Sequence, residues 1–472
     1  MEVKHRKVTS QNGISRDSKV APRSKKATKM KRMYTIIVAL LSLLFLGYIV
    51  ISSDLKPVRI GRKTIDSIAF SFNLQKPIYA VIIDAGSTGS RVLAFSFHES
   101  ILDANLILDA ELYHQITPGL SSFADEPHKA AESLTVLLDK AKSVIPRSEW
   151  SRTPLSMKAT AGLRLLPGHK ANDILKECSK LFETSGFLVS KNSVAIMDGT
   201  DEGIFSWFTV NFLQDRLRTH GSDAVAALDL GGGSTQVTFA PDNANIKNQE
   251  KYIYAINVFN HNMSVYTHSY LGMGLMAARK EIITHGMNSK SNKDKNAIEI
   301  RSECINPIVS TEWHYGGLNY IVKGPENGTY KIFKTQNFAG AEENRPVVRF
   351  SECLKIVKNY VSTITNRPLG LSKHEIYAFS YYFDRATEAG LIDPFTGGVI
   401  KVDKFIKAAV DSCDYPNIDQ PFACLDLTFI YVLLTDGFGL EPTTKLYLYR
   451  KINGHELSWA MGAAFNILQN EL

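Results

Sequence analysis

Asp84 and Asp229 each end a hydrophobic run and open a turn rich in glycine and hydroxyl groups. The two stretches are Tyr79-Ala-Val-Ile-Ile-Asp-Ala-Gly-Ser-Thr-Gly-Ser-Arg91 and Ala226-Ala-Leu-Asp-Leu-Gly-Gly-Gly-Ser-Thr-Gln236. Gly231, Gly232 and Gly233 let the backbone turn sharply and approach a ligand with no Cβ in the way. Consecutive peptide N–H groups in such a turn form an anion-binding nest. The two acids lie 145 positions apart, which suggests two matched loops facing one phosphate chain and its metal. The bland alternative for the first loop is a plain surface turn, in which Asp84 would have no task. A third stretch, Val194-Ala-Ile-Met-Asp-Gly-Thr-Asp-Glu-Gly-Ile-Phe-Ser-Trp207, puts Glu202 at a strand-to-helix junction. With Thr200 as N-cap, Asp201 and Glu202 have a structural use in the first turn, where carboxylates are favoured. The functional alternative is that Glu202 faces a phosphate-holding cleft and takes a proton from water. Downstream, Tyr381, Tyr382 and Phe383 either stack a nucleobase or pack in the core.

These residues need elements to carry them. Ile78–Ile83 reads as a strand buried on both faces, and Arg91–Phe97 as its hairpin partner. Asp125–Val144 has helical spacing, and Leu155–Ala159 is a short strand leading to Thr160, Gly162 and Arg164. Phe187–Met197 and Thr235–Phe239 read as strands, Lys290–Arg301 as an exposed polar loop, and residues 304–350 as an excursion without a clear period. Cys353–Ile364 and Cys424–Leu434 have helical spacing, while Ile376–Asp384 reads as a strand ending in aromatics and an acid. Leu446–Arg450 is a strand, and Glu456–Asn466 a last helix with Gly462 and Ala463 for close packing. The alternation implies an α/β fold.

The chain has 472 residues, so two domains or lobes are expected. Hydrophobic residues at 44% and charged residues at 21% are ordinary for a folded protein. Of the net charge of +7, residues 1–32 supply +9, leaving −2 for the rest. The basicity thus belongs to a tail and implies no nucleic acid. Met33–Ile51 carries no charge over nineteen residues, a helix of roughly 28 Å against a bilayer core of about 30 Å. The alternative, a cleaved signal peptide, fits poorly with the long basic segment and the lack of a small-x-small site. Lys25, Lys26, Lys29, Lys31 and Arg32 place the tail in the cytoplasm and residues 52–472 beyond the membrane. Residues 52–76 lack a strong period and read as a stem. Cys178, Cys304, Cys353, Cys413 and Cys424 lie on the side where disulfides persist. Sequence alone does not fix their pairing. Cys413–Cys424 closes a short loop, which leaves Cys304–Cys353 as the second bridge and Cys178 as a buried thiol. Asn262-Met-Ser and Asn327-Gly-Thr are glycosylation sequons. No HExxH, CxxC, GxSxG or GxxxxGK[ST] run occurs, which argues against zinc proteases, thiol redox enzymes, α/β-hydrolases and P-loop ATPases.

Five segments, in order, resemble the ectonucleoside triphosphate diphosphohydrolase (apyrase) family. They are Ile83-Asp-Ala-Gly-Ser-Thr-Gly-Ser-Arg91, Lys158-Ala-Thr-Ala-Gly-Leu-Arg164, Asp201-Glu-Gly-Ile-Phe-Ser-Trp207, Ala227-Leu-Asp-Leu-Gly-Gly-Gly-Ser-Thr-Gln236 and Ser458-Trp-Ala-Met-Gly-Ala463. The resemblance covers residues 77–470. It implies the actin/sugar-kinase/heat-shock-ATPase fold, with a first ribonuclease-H-like lobe over 77–202 and a second over 203–455. The terminal helix, 456–472, is expected to pack back on the first lobe. It further implies Ca²⁺ or Mg²⁺ and hydrolysis of terminal nucleotide phosphates. The chain is most similar to the single-anchor Golgi and endoplasmic-reticulum subgroup that prefers nucleoside diphosphates. Gly89 stands where the cell-surface triphosphatases usually carry a His, and Gly462–Leu472 is too short for their second span. Carried over by position, Glu202 is the catalytic base, and Ser234 and Gln236 hold the attacking water with it. Asp84, Asp229 and Thr160 serve the metal, mostly through water. Ser87, Thr88, Gly89, Gly232, Gly233 and Ser234 bind phosphate, Arg91 and Arg164 give support, and Tyr382 stacks the base. The expected product is a nucleoside monophosphate, and the chain is expected to be a monomer or weak homo-oligomer in the Golgi membrane. Competing expectations are a broad extracellular apyrase, a kinase or chaperone ATPase of the same fold, and a non-catalytic lumenal nucleotide-binding protein.

Overall fold

β1 (Ile78–Ala85) centres the first sheet because its unbroken apolar run can be covered on both faces. It pairs antiparallel with β2 (Ser90–Glu99), which pairs antiparallel with β3 (Leu106–Ile116). On its other side it runs parallel to β4 (Leu155–Ala159), and β4 runs parallel to β5 (Val194–Ile196). In the computed structural model the described residues are 25–52, 56–101, 105–217, 223–259, 261–285, 290–292, 297–334, 342–415 and 417–470. Most of the expected basic tail lies outside them.

The second sheet contains β6 (Ala226–Leu230), β7 (Ser234–Phe239), β8 (Ile253–Val258), β9 (His261–Leu271), β10 (Ile376–Ser380), β11 (Gly398–Lys401) and β12 (Lys445–Leu448). Their order is β11-β12-β10-β6-β7-β9-β8. Its five inner strands repeat the first plan: β6 is antiparallel to β7, β7 to β9, and β6 is parallel to β10, as β10 is to β12. The same arrangement is thus built twice.

The period of two along a strand decides where the acids point. Val81, Ile83 and Ala85 join an outer cluster with Leu134, Leu137, Ile174 and Phe182. Ala80 and Ile82 face the other way, into a cluster that holds Trp207, Trp459 and Phe465. On β6, Ala226, Leu228 and Leu230 face a third cluster, while Ala227 joins the middle one. Asp84 shares the parity of Ile82, and Asp229 that of Ala227. Both acids therefore lie on the inner faces of their sheets.

The middle layer contains the helices Gly199–Leu213 and Trp459–Asn470. Gly462 lets them touch, since a Cβ there would lie 2.6 Å from the Phe205 carbonyl oxygen. Its N–H, one of those left unpaired at a helix start, donates to Thr209 Oγ1 at 3.1 Å. Phe465 meets Phe97 of β2 edge-to-face at 5.3 Å. Residues Lys76–Leu472 form one compact unit. The expected division after residue 202 falls inside the helix Gly199–Leu213 rather than at an element boundary.

Residues Met1–Gln75 form a separate unit. Its helix Lys25–Ser52 includes Lys29–Ile49, 21 residues long, with none buried in its apolar stretch, and apolar enough to cross a membrane. The expected aperiodic stem is instead helical over Lys56–Ser71. Pro57 stands in its first turn, where a missing N–H costs nothing.

Three further expectations are corrected. Lys290–Arg301 is not wholly loop: Lys290–Asn292 and Ala297–Arg301 are strands joined with Ser310–Tyr315 and Leu318–Lys323 in one sheet, and Ala297 and Ile300 are buried. Residues 304–350 likewise contain regular structure, including a hairpin of Thr329–Lys334 and Glu342–Val347. Their polar faces obscured the alternation. Third, the strand expected to reach Asp384 stops at Ser380, and a helix runs over Tyr381–Glu388. Cys304 is bonded to Cys353 and Cys413 to Cys424, and Cys178 is a buried free thiol pushed up to about 12 by burial.

Candidate active site

The two loops meet. A Cβ on Gly232 would lie 2.0 Å from Ser87 Oγ, so only glycine leaves room for that hydroxyl. The first turn is closed by Gly86 N–H donating to the Gly89 carbonyl at 3.0 Å, and the second by Gly231 N–H donating to the Ser234 carbonyl at 3.0 Å. N–H groups at the start of the helix Leu275–Ile283 bind the carbonyls of Gly231 and Gly232 at 2.9 Å, which holds the glycine turn in place. Thr160 N–H donates to the Ala85 carbonyl at 3.2 Å, bringing the segment from Thr160 to Arg164 against the first loop. The result is a cavity of about 300 Å³. Asp84, Ser87, Thr88, Arg91, Thr160, Glu202, Asp229 and Gly232 all line it.

Glu202 lies at the inner end, in the first turn of its helix. The N-cap is Asp198 and not Thr200: Asp198 Oδ1 accepts from Thr200 N–H at 2.7 Å. That bond holds the Asp198 carboxyl below its usual value. The cap is thereby supplied without Glu202. Arg164 Nη2 donates to Glu202 Oε2 at 2.5 Å, and Gln236 Nε2 donates to the same oxygen at 3.0 Å. Gln236 Nε2 also approaches Ser234 Oγ at 2.8 Å and Ser269 Oγ at 2.9 Å. Ser234 and Gln236 are buried immediately behind the cavity wall. Gln236 Oε1 is buried with no partner among the described residues. Glycine is required beside this cluster as well, because a Cβ on Gly203 would lie 2.3 Å from Thr267 Oγ1.

Three buried carboxylates share the site. Burial pushes Glu202 up to about 8, and the charges of Asp229 and Asp84 add to this while Arg164 opposes it. Asp229 rises to about 6, again chiefly through burial. Its carboxylate accepts from Ser206 Oγ at 3.2 Å. Asp84 is raised by burial against the pull of Arg91, whose Nη1 donates to Asp84 Oδ2 at 3.1 Å. Asp84 Oδ1 is buried and unpartnered. A divalent cation fits this place: it would offset three crowded negative groups and give Asp84 Oδ1 a partner through its water shell. Among the described residues no group of three His, Cys, Asp or Glu side chains could ligate a metal directly.

Not every expected residue lines the cavity. Gly89 packs under Ile116 and Gln115, and Gly233 against Ala161. Tyr382 is fully buried in the core with its hydroxyl unpartnered, and it does not reach the cleft. Tyr381 and Phe383 line the cavity, while Tyr382 turns into the core. Tyr381 donates its hydroxyl to Thr88 Oγ1 at 3.2 Å, crossing from the second sheet to the first loop. Other lining residues carried no local signal. Tyr113, Gln115, Ser380, Asp384, Arg450 and Glu456 belong to this wall only because the fold assembles it.

A profile of the GDA1/CD39 (nucleoside phosphatase) family matches residues 73–471. The human protein named nucleoside diphosphate phosphatase ENTPD5 is 41% identical over 400 residues, covering 83% of this chain and 88% of that protein. Human ectonucleoside triphosphate diphosphohydrolase 6 is 39% identical over 397 residues, covering 83% and 77% respectively. Among solved structures, the nucleoside triphosphate hydrolases of Neospora caninum superpose with a TM-score of 0.54 at 12% identity, covering 88% of this chain and 97% of that one. This last likeness is one of fold.

Proposed function

The chain belongs to the GDA1/CD39 (nucleoside phosphatase) family, and on that premise we propose that it hydrolyses the terminal phosphate of nucleoside diphosphates such as UDP and GDP. The observation that carries the reading is the buried cluster of Glu202, Gln236 and Ser234 at the inner end of a two-loop cavity. Water held there has an acceptor in the Glu202 carboxylate, a second in the buried Gln236 Oε1, and a hydroxyl neighbour in Ser234. Glu202 takes the proton as the water oxygen attacks the terminal phosphorus in line, and the nucleoside monophosphate leaves. No phosphoenzyme is formed. Of the two turns, Ser87, Thr88 and Gly232 face the cavity and offer N–H and hydroxyl donors to the equatorial oxygens, where phosphoryl transfer needs stabilisation. Bound Ca²⁺ or Mg²⁺ would neutralise phosphate charge, held through water by Asp84, Asp229 and Thr160. Arg164 and Arg91 fix the orientations of Glu202 and Asp84. Tyr381 and Phe383, rather than Tyr382, are the aromatic groups available to the base.

We read the two repeated sheets as two ribonuclease-H-like lobes, and Lys29–Ile49 as a signal-anchor that leaves Lys76–Leu472 in the Golgi lumen. The product phosphatase role there is clearance of nucleoside diphosphates released by glycosyl transfer. The exposed sequons at Asn262 and Asn327 suit that compartment. Glu202→Gln tests the chemistry. The expected result is a folded protein with phosphate release reduced by about 10²–10⁴-fold, and an unchanged rate would remove Glu202 from its role.

A further inference from the structure

The helix Lys56–Ser71 has a definite end. Asn73, at a φ of 55°, turns the chain: its N–H donates to the Phe70 carbonyl at 2.9 Å, and Leu74 N–H donates to the Ala69 carbonyl at 3.0 Å. That pair of bonds satisfies carbonyls that a helix end otherwise leaves open. One flank is covered, since Asp66 and Ala69 are buried and Gln75 Nε2 donates to Asp66 Oδ1 at 3.3 Å. Another side is bare. Ile65 and Ile68 are each 52% exposed, and Phe72 and Leu74 each 73% exposed. Ile65, Ile68 and Phe72 are three and four positions apart, which keeps them on one face, and Gly61 and Val58 continue the spacing toward the helix start. Single exposed apolar residues are ordinary, but a stripe of them calls for a partner. A helix of 16 residues with a glycine inside it is marginal in water by itself, so what covers the stripe decides how firmly it holds.

Charge and position say which partner. The helix sequence carries Lys56, Arg59, Arg62 and Lys63 against Asp66, a net of +3, whereas residues 33–472 as a whole sum to −2. Seven positions separate Ile49, the end of the apolar span, from Lys56, at most about 25 Å of chain. The helix therefore begins within reach of phosphate headgroups. A basic helix with an apolar face and low overall hydrophobicity is the form that lies in a bilayer surface. A second copy of the chain fits less well. The seam from Val58 to Phe72 is barely two heptads long with Gly61 at a contact position, and pairing would bring two helices of like charge together.

We propose that Lys56–Ser71 is a second membrane-contacting element, lying along the bilayer surface with Ile65, Ile68 and Phe72 among the upper acyl chains and its positive charge at the lipid phosphates. The stem is then a surface-bound strut and not a free spacer. The inference rests on the reading of Lys29–Ile49 as a membrane anchor. Its test uses the full chain reconstituted in vesicles of phosphatidylcholine and phosphatidylserine, with a nitroxide on one introduced cysteine at a time. Cys178 is buried and the other four cysteines are bridged, so the introduced thiol takes the label. The positions are Ile65→Cys, Ile68→Cys and Phe72→Cys on the stripe, Ser67→Cys off it, and Leu43→Cys within the span. Collisions with oxygen, which concentrates in lipid, are compared with collisions with a water-soluble nickel chelate. The stripe positions should favour oxygen several-fold more than Ser67 does. Adding Ile65→Ser/Phe72→Ser should return the label at Ile68 to the ratio seen at Ser67. Equal ratios at Ile68 and Ser67, or no change at Ile68 on adding the two serines, overturn the inference. So does a label at Ile68 that neither reagent reaches, the sign of cover by protein, or one broadened by a neighbouring spin, the sign of a second copy. The label at Leu43 identifies the other failure: if the chelate reaches it, the anchor reading falls, while the stripe labels still decide whether this helix meets lipid.

Discussion

Glu202 is the residue on which the proposed chemistry turns, and its protonation has a sign that can be checked. Burial, with Asp229 and Asp84 nearby, raises it to about 8, against an ordinary carboxylate near about 4.3. A group raised in the folded state favours folding when protonated. That contribution is complete below about pH 4 and is lost as pH climbs toward 8. In chelator, Glu202→Gln should therefore melt higher than wild type at pH 8, and the difference should vanish at pH 4. Activity should move oppositely, because only the carboxylate accepts a proton. We expect kcat/KM to rise with pH along a limb between the ordinary carboxylate value and about 8, and a flat profile across this range would contradict the assignment. At this scale the sequence was most informative where a polar residue interrupted a pattern. Asp84 and Asp229 stood at strand ends, and Glu202 at a junction. Tyr382 misled because the direction of each ring in an aromatic run depends on where the helix begins, and that point is set by the backbone at Ser380.

The elements show how two glycines with similar local sequence signals serve different ends. A Cβ on Gly232 would meet the terminal oxygen of Ser87, a movable group, whereas a Cβ on Gly462 would meet the Phe205 backbone. Gly232→Ala should leave the melting temperature nearly unchanged and depress the rate by displacing Ser87 from the phosphate turn. Gly462→Ala should destabilise the protein by about 1–3 kcal/mol, the usual effect of overpacking, with kcat retained in the folded fraction. Thermal melts beside initial rates distinguish the two. Continuous apolar strands such as β1 and β6 were legible, since their length and composition leave few alternatives. The sheet within residues 290–323 was not, because its strands bury few side chains and read as polar. Contacts such as Tyr381 to Thr88, separated by 293 positions, exist only once the two sheets are assembled.

Across the whole molecule, the compact unit Lys76–Leu472 holds all the residues assigned to the chemistry. The two disulfides lie in its second half. The Cys304–Cys353 bridge spans 49 positions and Cys413–Cys424 spans 11. Chain-entropy arguments assign them about 4 and about 3 kcal/mol, so Cys304→Ser/Cys353→Ser should lower the melting temperature more than Cys413→Ser/Cys424→Ser. Neither pair lines the cavity, and each variant should retain kcat while folded. The long apolar N-terminal helix and the nucleoside-phosphatase family were legible from composition and resemblance, while the cleft wall depended on the fold. The most direct measurement is phosphate release by the full chain from UDP, GDP, ADP and ATP, with Ca²⁺, with Mg²⁺ and with chelator. The account expects UDP and GDP to be cleaved fastest, ATP to be cleaved slowly, and chelator to abolish release. Faster release from ATP, or undiminished release in chelator, would contradict it.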